Sequence, residues 1–168
     1  KEWGCTSVRL NYSPSTHSEA MVEQLKKYID ICAELGLYAI VDWHLFEDHT
    51  TKTGDPNDYV KEASNFFRAI SEYAKEKGYF HLIYEICNEP SVVDWEDVKK
   101  YAASILPIIE GNNPKAIVIV GPCDWSQKIN QAALDPIKTD DYYLNIMYAF
   151  HYYACNHETL LMYLEVAN

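Results

Sequence analysis

Short apolar runs rich in β-branched residues alternate along the chain with longer segments that have an amphipathic helical pattern. Parallel strands buried on both faces read as continuous apolar runs, and each pair needs a crossover connection between its strands. The alternation therefore predicts an α/β fold of βα units around a parallel sheet. Successive runs are centred 32, 43, 35 and 29 residues apart, about one βα unit each. The centres are Val8, Ile40, Ile83, Val118 and Met147.

The first predicted helix has signals at both ends. Thr16 and Glu19 have the spacing of a capping box, in which side chains satisfy the free amide groups at a helix start. Gly36 is placed to end the helix, because glycine adopts the left-handed conformation at little cost. The buried face of this helix is predicted to consist of Val22, Leu25, Ile29 and Cys32.

Two further helices are predicted from the same kind of signal. Asp55 and Pro56 suit the N-cap and the first helical position of the second helix, and Gly78 suits its end. Asp94 is placed to cap a third helix, in which Pro107 is expected to cause a kink or a late break. The buried face of the second helix is predicted to be Tyr59, Ala63, Phe66, Ile70 and Ala74.

Polar residues follow the third apolar run directly. An amide, a carboxyl group and a helix breaker, Asn88, Glu89 and Pro90, come after residues 83–87. A parallel barrel gathers the carboxyl ends of its strands at one face, so such a stretch can deliver a catalytic acid. Taken alone, the three residues favour an exposed Glu at a strand-to-loop turn, and only further motifs decide between the two interpretations.

The Asn-Glu-Pro stretch resembles the signature at the end of the fourth strand in glycoside hydrolase family 5, the family of many endo-β-1,4-glucanases. Residues 7–11, with Arg9, resemble the second strand of that family, and residues 40–44 resemble the third, which ends in Asp-Trp-His. Residues 117–120, followed by Gly121 and Trp125-Ser126-Gln127, are similar to the fifth strand, and residues 147–154 are similar to the sixth.

The resemblance implies a partial (β/α)8 TIM barrel with about five βα units and parallel strands, similar to strands two to six. A complete barrel needs about 250 residues, and this chain has 168. We therefore expect residues 1–168 to form a single incomplete glycoside hydrolase catalytic domain. Periodicity alone also allows a doubly wound open sheet, which the motifs disfavour. The open edges of a partial barrel, near Val8 and Met147, are expected to cause self-association or poor solubility.

The resemblance also implies a role for each matching residue. Glu89 matches the general acid/base, and Asn88 matches the residue that holds the sugar 2-hydroxyl. Two of the substrate-binding matches have alternative interpretations: His44 as a histidine of the core, and Trp125 as a structural tryptophan at the barrel rim. The remaining matches are His44, Trp125 and Tyr153 as substrate-binding residues, and Arg9 and His151 as residues that surround the nucleophile.

The nucleophile has no match in this chain. Cleavage with retention takes two carboxyl groups about 5 to 5.5 Å apart, one as acid/base and one as nucleophile. In the family the nucleophile is a Glu at the end of the seventh strand, far beyond the His-x-Tyr motif. Glu165 follows His151 by only 14 residues, within residues 158–165, which have the pattern of a helix. We therefore predict that Glu165 is not the nucleophile.

The function implied by the resemblance is retaining hydrolysis of cellulose or related β-glucans, in the manner of an endo-β-1,4-glucanase and without a cofactor. Mannan and mixed-linkage glucan are alternative substrates. A non-catalytic glucan-binding remnant would keep the same sugar contacts, and the missing nucleophile favours it for the isolated chain. An extracellular location is expected from the resemblance, although the chain shows no signal peptide.

The net charge of the chain and the spacing of its Cys and His residues argue against other classes of function. With 25 acidic and 14 basic residues the net charge is -11, which disfavours nucleic acid and anionic membranes as partners. No apolar run reaches the about 20 residues of a membrane span. Neutral glucan is not repelled, and 14 Tyr and 4 Trp offer flat faces to sugar rings. There is no Cys-x-x-Cys pair and no His-Glu-x-x-His helix, so no metal site is predicted from His44, His49, His151 and His157.

Overall fold

The computed structural model describes residues 3–16, 18–45, 54–138, 144–153, 155 and 158–167. Within these residues, strands and helices alternate in the α/β arrangement that the sequence predicts. The strands are β1 (Ser7–Tyr12), β2 (Tyr38–Trp43), β3 (Leu82–Glu85), β4 (Ile117–Val120) and β5 (Asn145–Tyr148).

In the described ranges, three long helices and three short ones connect or follow the strands. Among the described residues, no helix is long and apolar enough to cross a lipid bilayer. The helices are α1 (Glu19–Leu35), α2 (Val60–Lys77), α3 (Trp95–Asn112), α4 (Cys123–Ser126), α5 (Ile129–Leu134) and α6 (Met162–Ala167).

All five strands belong to one parallel sheet in the order β1-β2-β3-β4-β5. A doubly wound sheet reverses its strand order at a switch point, whereas a barrel adds each strand beside the previous one. The sequential order therefore confirms the partial barrel over the alternative. The register places Asn11 beside Asp42 and Asp42 beside Glu85. Side chains in register lie on the same face, so the two carboxylates are neighbours near the carboxyl ends of their strands.

The start of α1 differs from the prediction. Its N-cap is Ser18, whose side-chain oxygen accepts a hydrogen bond from the amide of Met21. Thr16 instead lies in the short 3-10 helix Pro14–Thr16, so the capping-box prediction is wrong. The other end is as predicted, with Gly36 in the left-handed region at φ 64°. The predicted face of Val22, Leu25, Ile29 and Cys32 is buried.

The third predicted helix keeps its start, whereas α2 begins at Val60, four residues after the predicted first position, Pro56. Asp55 caps a 3-10 turn, Pro56–Tyr59, that leads into α2, and Gly78 ends α2 with φ 66°. Asp94 caps α3 and accepts a hydrogen bond from a backbone amide of its first turn. Pro107 lies inside α3, which continues for five more residues, so this proline does not break the helix.

Aromatic rings pack between the sheet and α2. The ring centroid of Phe66 lies 4.4 Å from that of Tyr12 and 5.1 Å from that of Trp43. Such pairs contribute about 0.5–1.5 kcal/mol beyond their burial. Trp43 separates Asp42 from His44 in the sequence, so this packing holds the end of β2 in place.

We propose that the isolated chain self-associates through its open edges. In the described part of the chain, β1 and β5 each pair with one neighbour only, and unpaired strand edges bind other strands. Light scattering should give a mass above that of one chain. Changing Val8 and Met147, two exposed edge residues, to Lys should lower that mass, because charged edge residues oppose strand pairing.

Ile31→Lys is the matched control for this experiment. Ile31 is exposed on helix α1 and does not belong to a sheet strand, so its replacement should leave the mass unchanged. Light scattering that gives the mass of a monomer at every protein concentration measured would contradict association through the edges.

Candidate active site

Glu89 lies four residues beyond the last residue of β3. The ladder of β3 ends at Glu85, earlier than the apolar pattern predicts. Backbone hydrogen bonds nevertheless continue: the amide of Asn88 donates to Trp43 O at 3.1 Å, and that of Glu89 donates to Leu45 O at 2.9 Å. These bonds anchor the loop after β3 against the end of β2, so both side chains are held at the carboxyl edge of the sheet.

An open cleft of about 580 Å³ lies at this edge. Its volume is within the range of about 300–1,000 Å³ that is common for small-molecule sites. Six of the seven residues that the sequence predicts for the site line the cleft, and Trp125 does not. The lining residues are Arg9, His44, Asn88, Glu89, Phe150, His151, Tyr152 and Tyr153.

Glu89 is hydrogen-bonded to His151. Oε1 of Glu89 lies 2.7 Å from Nδ1 of His151, although the two residues are 62 positions apart in the sequence. Both side chains are partly exposed, Glu89 by 20% and His151 by 25%. A carboxyl group that bonds an imidazole and still faces solvent can exchange a proton with a bound ligand.

Arg9 connects the polar residues of three strands. It donates to the two carboxylate oxygens of Glu85 at 2.6 and 2.8 Å and to Oδ1 of Asn88 at 2.7 Å. Its Nη2 also lies 3.1 Å from Oδ2 of Asp42. Burial works against the charged guanidinium, but the bond to Glu85 and the nearby negative charges outweigh it and raise the pKa of Arg9. The charge on Arg9 therefore compensates the buried carboxylates.

Asp42 and His44 form a second carboxylate–imidazole pair. Asp42 is completely buried, and its Oδ2 lies 2.6 Å from Nδ1 of His44. The pKa of Asp42 is raised, mainly because the carboxyl group is buried. The hydrogen bond to His44 and the charge of Arg9 lower this pKa, and the charge of Glu85 raises it further. His44 is therefore held by a group that is itself fixed within the sheet.

Aromatic residues offer flat surfaces near the cleft. Trp125 is 40% exposed and Tyr153 is 62% exposed. Trp125 lies outside the cleft lining, but its amide donates to Pro90 O at 2.9 Å, so it is next to the loop after β3. Within the cleft, the rings of Phe150 and Tyr152 stack 6.0 Å apart at 15°. Flat apolar faces of this kind suit the faces of sugar rings.

The short turn α4 has an unusual backbone. Asp124, Trp125 and Ser126 have φ values of 59°, 55° and 59°. Left-handed conformations are uncommon for residues other than glycine and persist where the surroundings enforce them. Here Ser126 Oγ donates to Asn88 O at 2.8 Å, and Ser126 O accepts from the amide of His151 at 2.9 Å. The turn therefore joins the loop after β3 to the segment after β5.

Gly121 allows this turn to approach the loop. A Cβ at Gly121 would lie 2.3 Å from Ser126 Oγ and 2.9 Å from Cys87 O. We expect Gly121→Ala to destabilise the protein by about 1–3 kcal/mol, as overpacking typically does, and to lower the Tm by about 2–12 °C. Thermal unfolding followed by circular dichroism measures the change.

Gly111→Ala is the matched control. A Cβ at Gly111, in α3, would meet nothing within 4 Å, and alanine favours a helix over glycine by about 1 kcal/mol. This variant should be as stable as the wild type or more so. Equal Tm values for the two alanine variants would show that the contact at Gly121 does not constrain the turn.

Among the described residues, sequence reasoning missed five that belong to the site or support it: Asp42, Glu85, Ser126, Phe150 and Tyr152. Asp42 and Glu85 interrupt apolar strands at positions that pair in register, and this interruption was a usable signal. Ser126 stands in the matched Trp125-Ser126-Gln127 motif, but its conformation and bonds were not predicted, because a left-handed serine has no characteristic sequence pattern.

No group of three His, Cys, Asp or Glu residues suited to a metal ion occurs in the described parts of the chain. His44 and His151 instead contact carboxylates. His49 and His157, the other two histidines considered for a metal site, lie outside the described residues.

A sequential parallel sheet with helices between its strands and a polar cleft at its carboxyl edge defines the barrel class of α/β proteins. The profile of the Cellulase family, glycosyl hydrolase family 5, matches residues 1–161. The chain therefore belongs to glycosyl hydrolase family 5, as its motifs predict.

Similar proteins agree with this assignment. Endoglucanase A of Evansella cellulosilytica is 39% identical over 163 residues, which cover 93% of this chain and 31% of that protein. The solved structure of cellulase Cel5C_n has a TM-score of 0.86 at 36% identity and covers 99% of this chain and 53% of that one. The catalytic domain of Thermobifida fusca endoglucanase Cel5A, in complex with cellotetraose, has a TM-score of 0.86 at 30% identity, over 99% of this chain and 55% of that one. The chain spans about a third of the length of the endoglucanases of Evansella cellulosilytica, Clostridium saccharobutylicum and Thermobifida fusca, and just over half of each of the two solved chains.

Proposed function

We propose that the protein is a retaining glycoside hydrolase of the endo-β-1,4-glucanase type, with Glu89 as its general acid/base. The contact of 2.7 Å between Glu89 and His151 in the cleft carries the proposal. A general acid/base needs access to the leaving oxygen and a neighbour that stabilises its changing charge, and Glu89 has both. The names endoglucanase and cellulase of the similar proteins support β-1,4-glucan as the substrate.

The sugar-binding part of the proposal rests on four residues. Asn88 and His44 line the cleft together with Arg9, and side chains of their type can hydrogen-bond sugar hydroxyls. Trp125 and Tyr153 are exposed aromatic residues next to the loop after β3 and in the cleft, where they can stack on sugar rings. Mannan and mixed-linkage glucan carry similar hydroxyls and remain the alternative substrates.

The second carboxylate of a retaining mechanism has no candidate among the described residues of this cleft. Glu85 is 3% exposed, and both of its oxygens are bonded to Arg9. Asp42 is completely buried. Glu165 lies in α6, the helix that the sequence predicts. We therefore propose that the nucleophile comes from outside the described residues of the cleft. We also propose that Arg9 and His151 surround the position that it occupies.

Glu89→Ala tests the acid/base role in a protein that also contains the seventh-strand Glu. Hydrolysis of glucans with poor leaving groups should fall by about 10²–10⁴-fold, the usual contribution of general acid–base catalysis. Activated aryl glycosides should lose less, because their leaving groups need no proton. Azide should restore part of the rate, because it attacks the glycosyl-enzyme intermediate as a nucleophile that needs no general base.

Glu62→Ala, an exposed change on α2, is the control and should leave both substrate types unaffected. Equal losses on both types in Glu89→Ala, without rescue by azide, would rule out the acid/base role.

A non-catalytic glucan-binding protein is the second candidate function for the isolated chain. The absence of a second carboxylate among the described residues of the cleft favours it. The two functions differ in turnover: an enzyme releases reducing sugar from carboxymethylcellulose, and a binding protein only retains the glucan.

We expect the isolated chain to bind cellotetraose but to release little or no reducing sugar. Trp125→Ala should weaken binding about tenfold, or about 1.4 kcal/mol, because it removes a stacking surface. Isothermal titration calorimetry measures the affinity. Trp3→Ala removes a tryptophan that is 92% exposed before β1 and should have no effect. Robust turnover by the isolated chain would show that a nucleophile is present, and Glu165 would be the first candidate.

Three further proposals rest on the resemblance to the family. Residues 1–168 form one incomplete catalytic domain, the protein acts outside the cell, and its partner is a β-glucan polysaccharide, not nucleic acid or a membrane.

A further inference from the structure

Ser126 is a buried serine in a backbone conformation that glycine adopts more easily. Its φ is 59°, in the left-handed region, which is unfavourable for residues that carry a Cβ. Its side chain is also completely buried, and burial of a hydroxyl is unfavourable unless the group is hydrogen-bonded. Glycine at this position would avoid both costs, so the hydroxyl is the feature to explain.

The hydroxyl of Ser126 holds the peptide that links Asn88 to Glu89. Oγ donates to Asn88 O at 2.8 Å, while the amide of Glu89 donates to Leu45 O at 2.9 Å. The carbonyl and the amide of a trans peptide point in opposite directions within one plane. The bond to Leu45 alone would let this plane rotate, whereas two bonds on opposite sides fix it. The plane in turn sets the direction in which the side chain of Glu89 leaves the backbone.

The residues on both sides of Glu89 are bonded to the same turn. Besides the bond from Ser126 to Asn88, the amide of Trp125 donates to Pro90 O at 2.9 Å. Glu89 therefore lies between two hydrogen bonds from consecutive residues of α4. Only the bond from Ser126 comes from a side chain, so a substitution can remove it while the backbone bond of Trp125 stays.

The backbone carbonyl of Ser126 holds the second segment of the site. Ser126 O accepts a hydrogen bond from the amide of His151 at 2.9 Å. The side chains of Glu89 and His151 then meet with 2.7 Å between Oε1 and Nδ1. One residue thus bonds both backbones from which the proposed acid/base pair projects, so its position sets their separation.

We propose that Ser126 is a positioning residue whose hydroxyl orients Glu89 toward His151. It acts through the backbone of the loop after β3, since its own side chain is completely buried. The consequence for catalysis rests on the proposed function of Glu89. The orientation itself does not, because it follows from hydrogen bonds within the chain.

Two substitutions separate the hydroxyl from the backbone conformation. Ser126→Ala removes the hydroxyl and keeps the unfavourable φ, whereas Ser126→Gly removes the hydroxyl and relieves the strain. We expect Ser126→Gly to have a Tm about 2–4 °C above that of Ser126→Ala, measured by circular dichroism. Both variants should lose the orientation of Glu89, because neither can donate to Asn88 O.

Nitrogen NMR of the isolated chain measures the contact between Glu89 and His151 without turnover. Glu89→Gln changes the group beside Nδ1 and should shift the ring ¹⁵N resonances of His151. In the Ser126→Gly background the same change should shift them less than about half as much, because the coupling between two residues falls when their contact is lost. A shift of wild-type size in that background would overturn the proposal.

Ser71→Ala is the matched control. Ser71 is also completely buried, and its hydroxyl also donates to a backbone carbonyl, that of Arg68. Its other contact is with Asn112 of α3, and it does not line the cleft. Ser71→Ala should lower the Tm but leave the response of His151 to Glu89→Gln unchanged. An equal reduction in this variant would overturn the proposal, because the effect would then follow from destabilisation alone.

Turnover separates this inference from the proposed function. In a protein that also contains the seventh-strand Glu, Ser126→Gly should lower kcat on glucans by about 10–100-fold, the scale of a small misplacement of a catalytic group. The loss should be smaller on activated aryl glycosides. KM should change by less than about twofold, because Arg9 still holds the side chain of Asn88.

The two measurements fail in different ways. A reduced response of His151 with an unchanged kcat on glucans would show that Ser126 does not serve catalysis. Equal losses on both substrate types in Glu89→Ala would contradict the proposed acid/base role, and the NMR comparison would still decide whether Ser126 orients Glu89.

Discussion

The rest of the cleft depends on the contacts between the charged side chain of Arg9 and the buried carboxylates of Asp42 and Glu85. Parallel pairing in register places Asp42 beside Glu85. Two buried like charges repel each other and lose their hydration. Arg9, from the neighbouring strand, contacts both carboxylates and keeps its charge despite partial burial. Without this guanidinium the carboxyl edge of the sheet would hold two uncompensated negative charges.

The guanidinium of Arg9 also orients the uncharged groups around it. Its contact with Asn88 orients an amide, and its contact with Asp42 reaches His44 through a shared oxygen. These groups lie on or directly after strands, where backbone pairing limits their movement. Groups held on rigid elements keep their geometry more accurately than groups on loops, so this half of the cleft is organised before a ligand binds.

The pair Glu89 and His151 is held in a different way. Both residues follow the ends of strands, and the left-handed turn α4 connects the two segments through Ser126. Gly121 leaves space for that turn. The backbone strain of three left-handed residues is therefore offset by bonds that position the proposed acid/base. In the proposed mechanism, the five strands would supply the sugar-binding and proton-transfer groups, and the attacking carboxylate would come from outside the described residues.

Sequence patterns predicted the βα units and most helix ends, because each depends on residues that are close in the chain. The sheet order followed from the family resemblance, since periodicity alone also allowed a doubly wound sheet. The N-cap of α1 is the exception, since Thr16 and Ser18 are both suitable caps and only the path of the chain selects Ser18. Family motifs indicated the seven site residues, six of which line one cleft.

The sequence by itself thus determined which residues stand at the strand ends and what chemistry they carry. The tertiary structure alone decided which partner each polar group has. Arg9 and Glu85 are 76 positions apart, and Glu89 and His151 are 62 apart. Their contacts depend on strand register and on the φ angles of a turn, and no local pattern encodes either, because both are set by packing between distant parts of the chain.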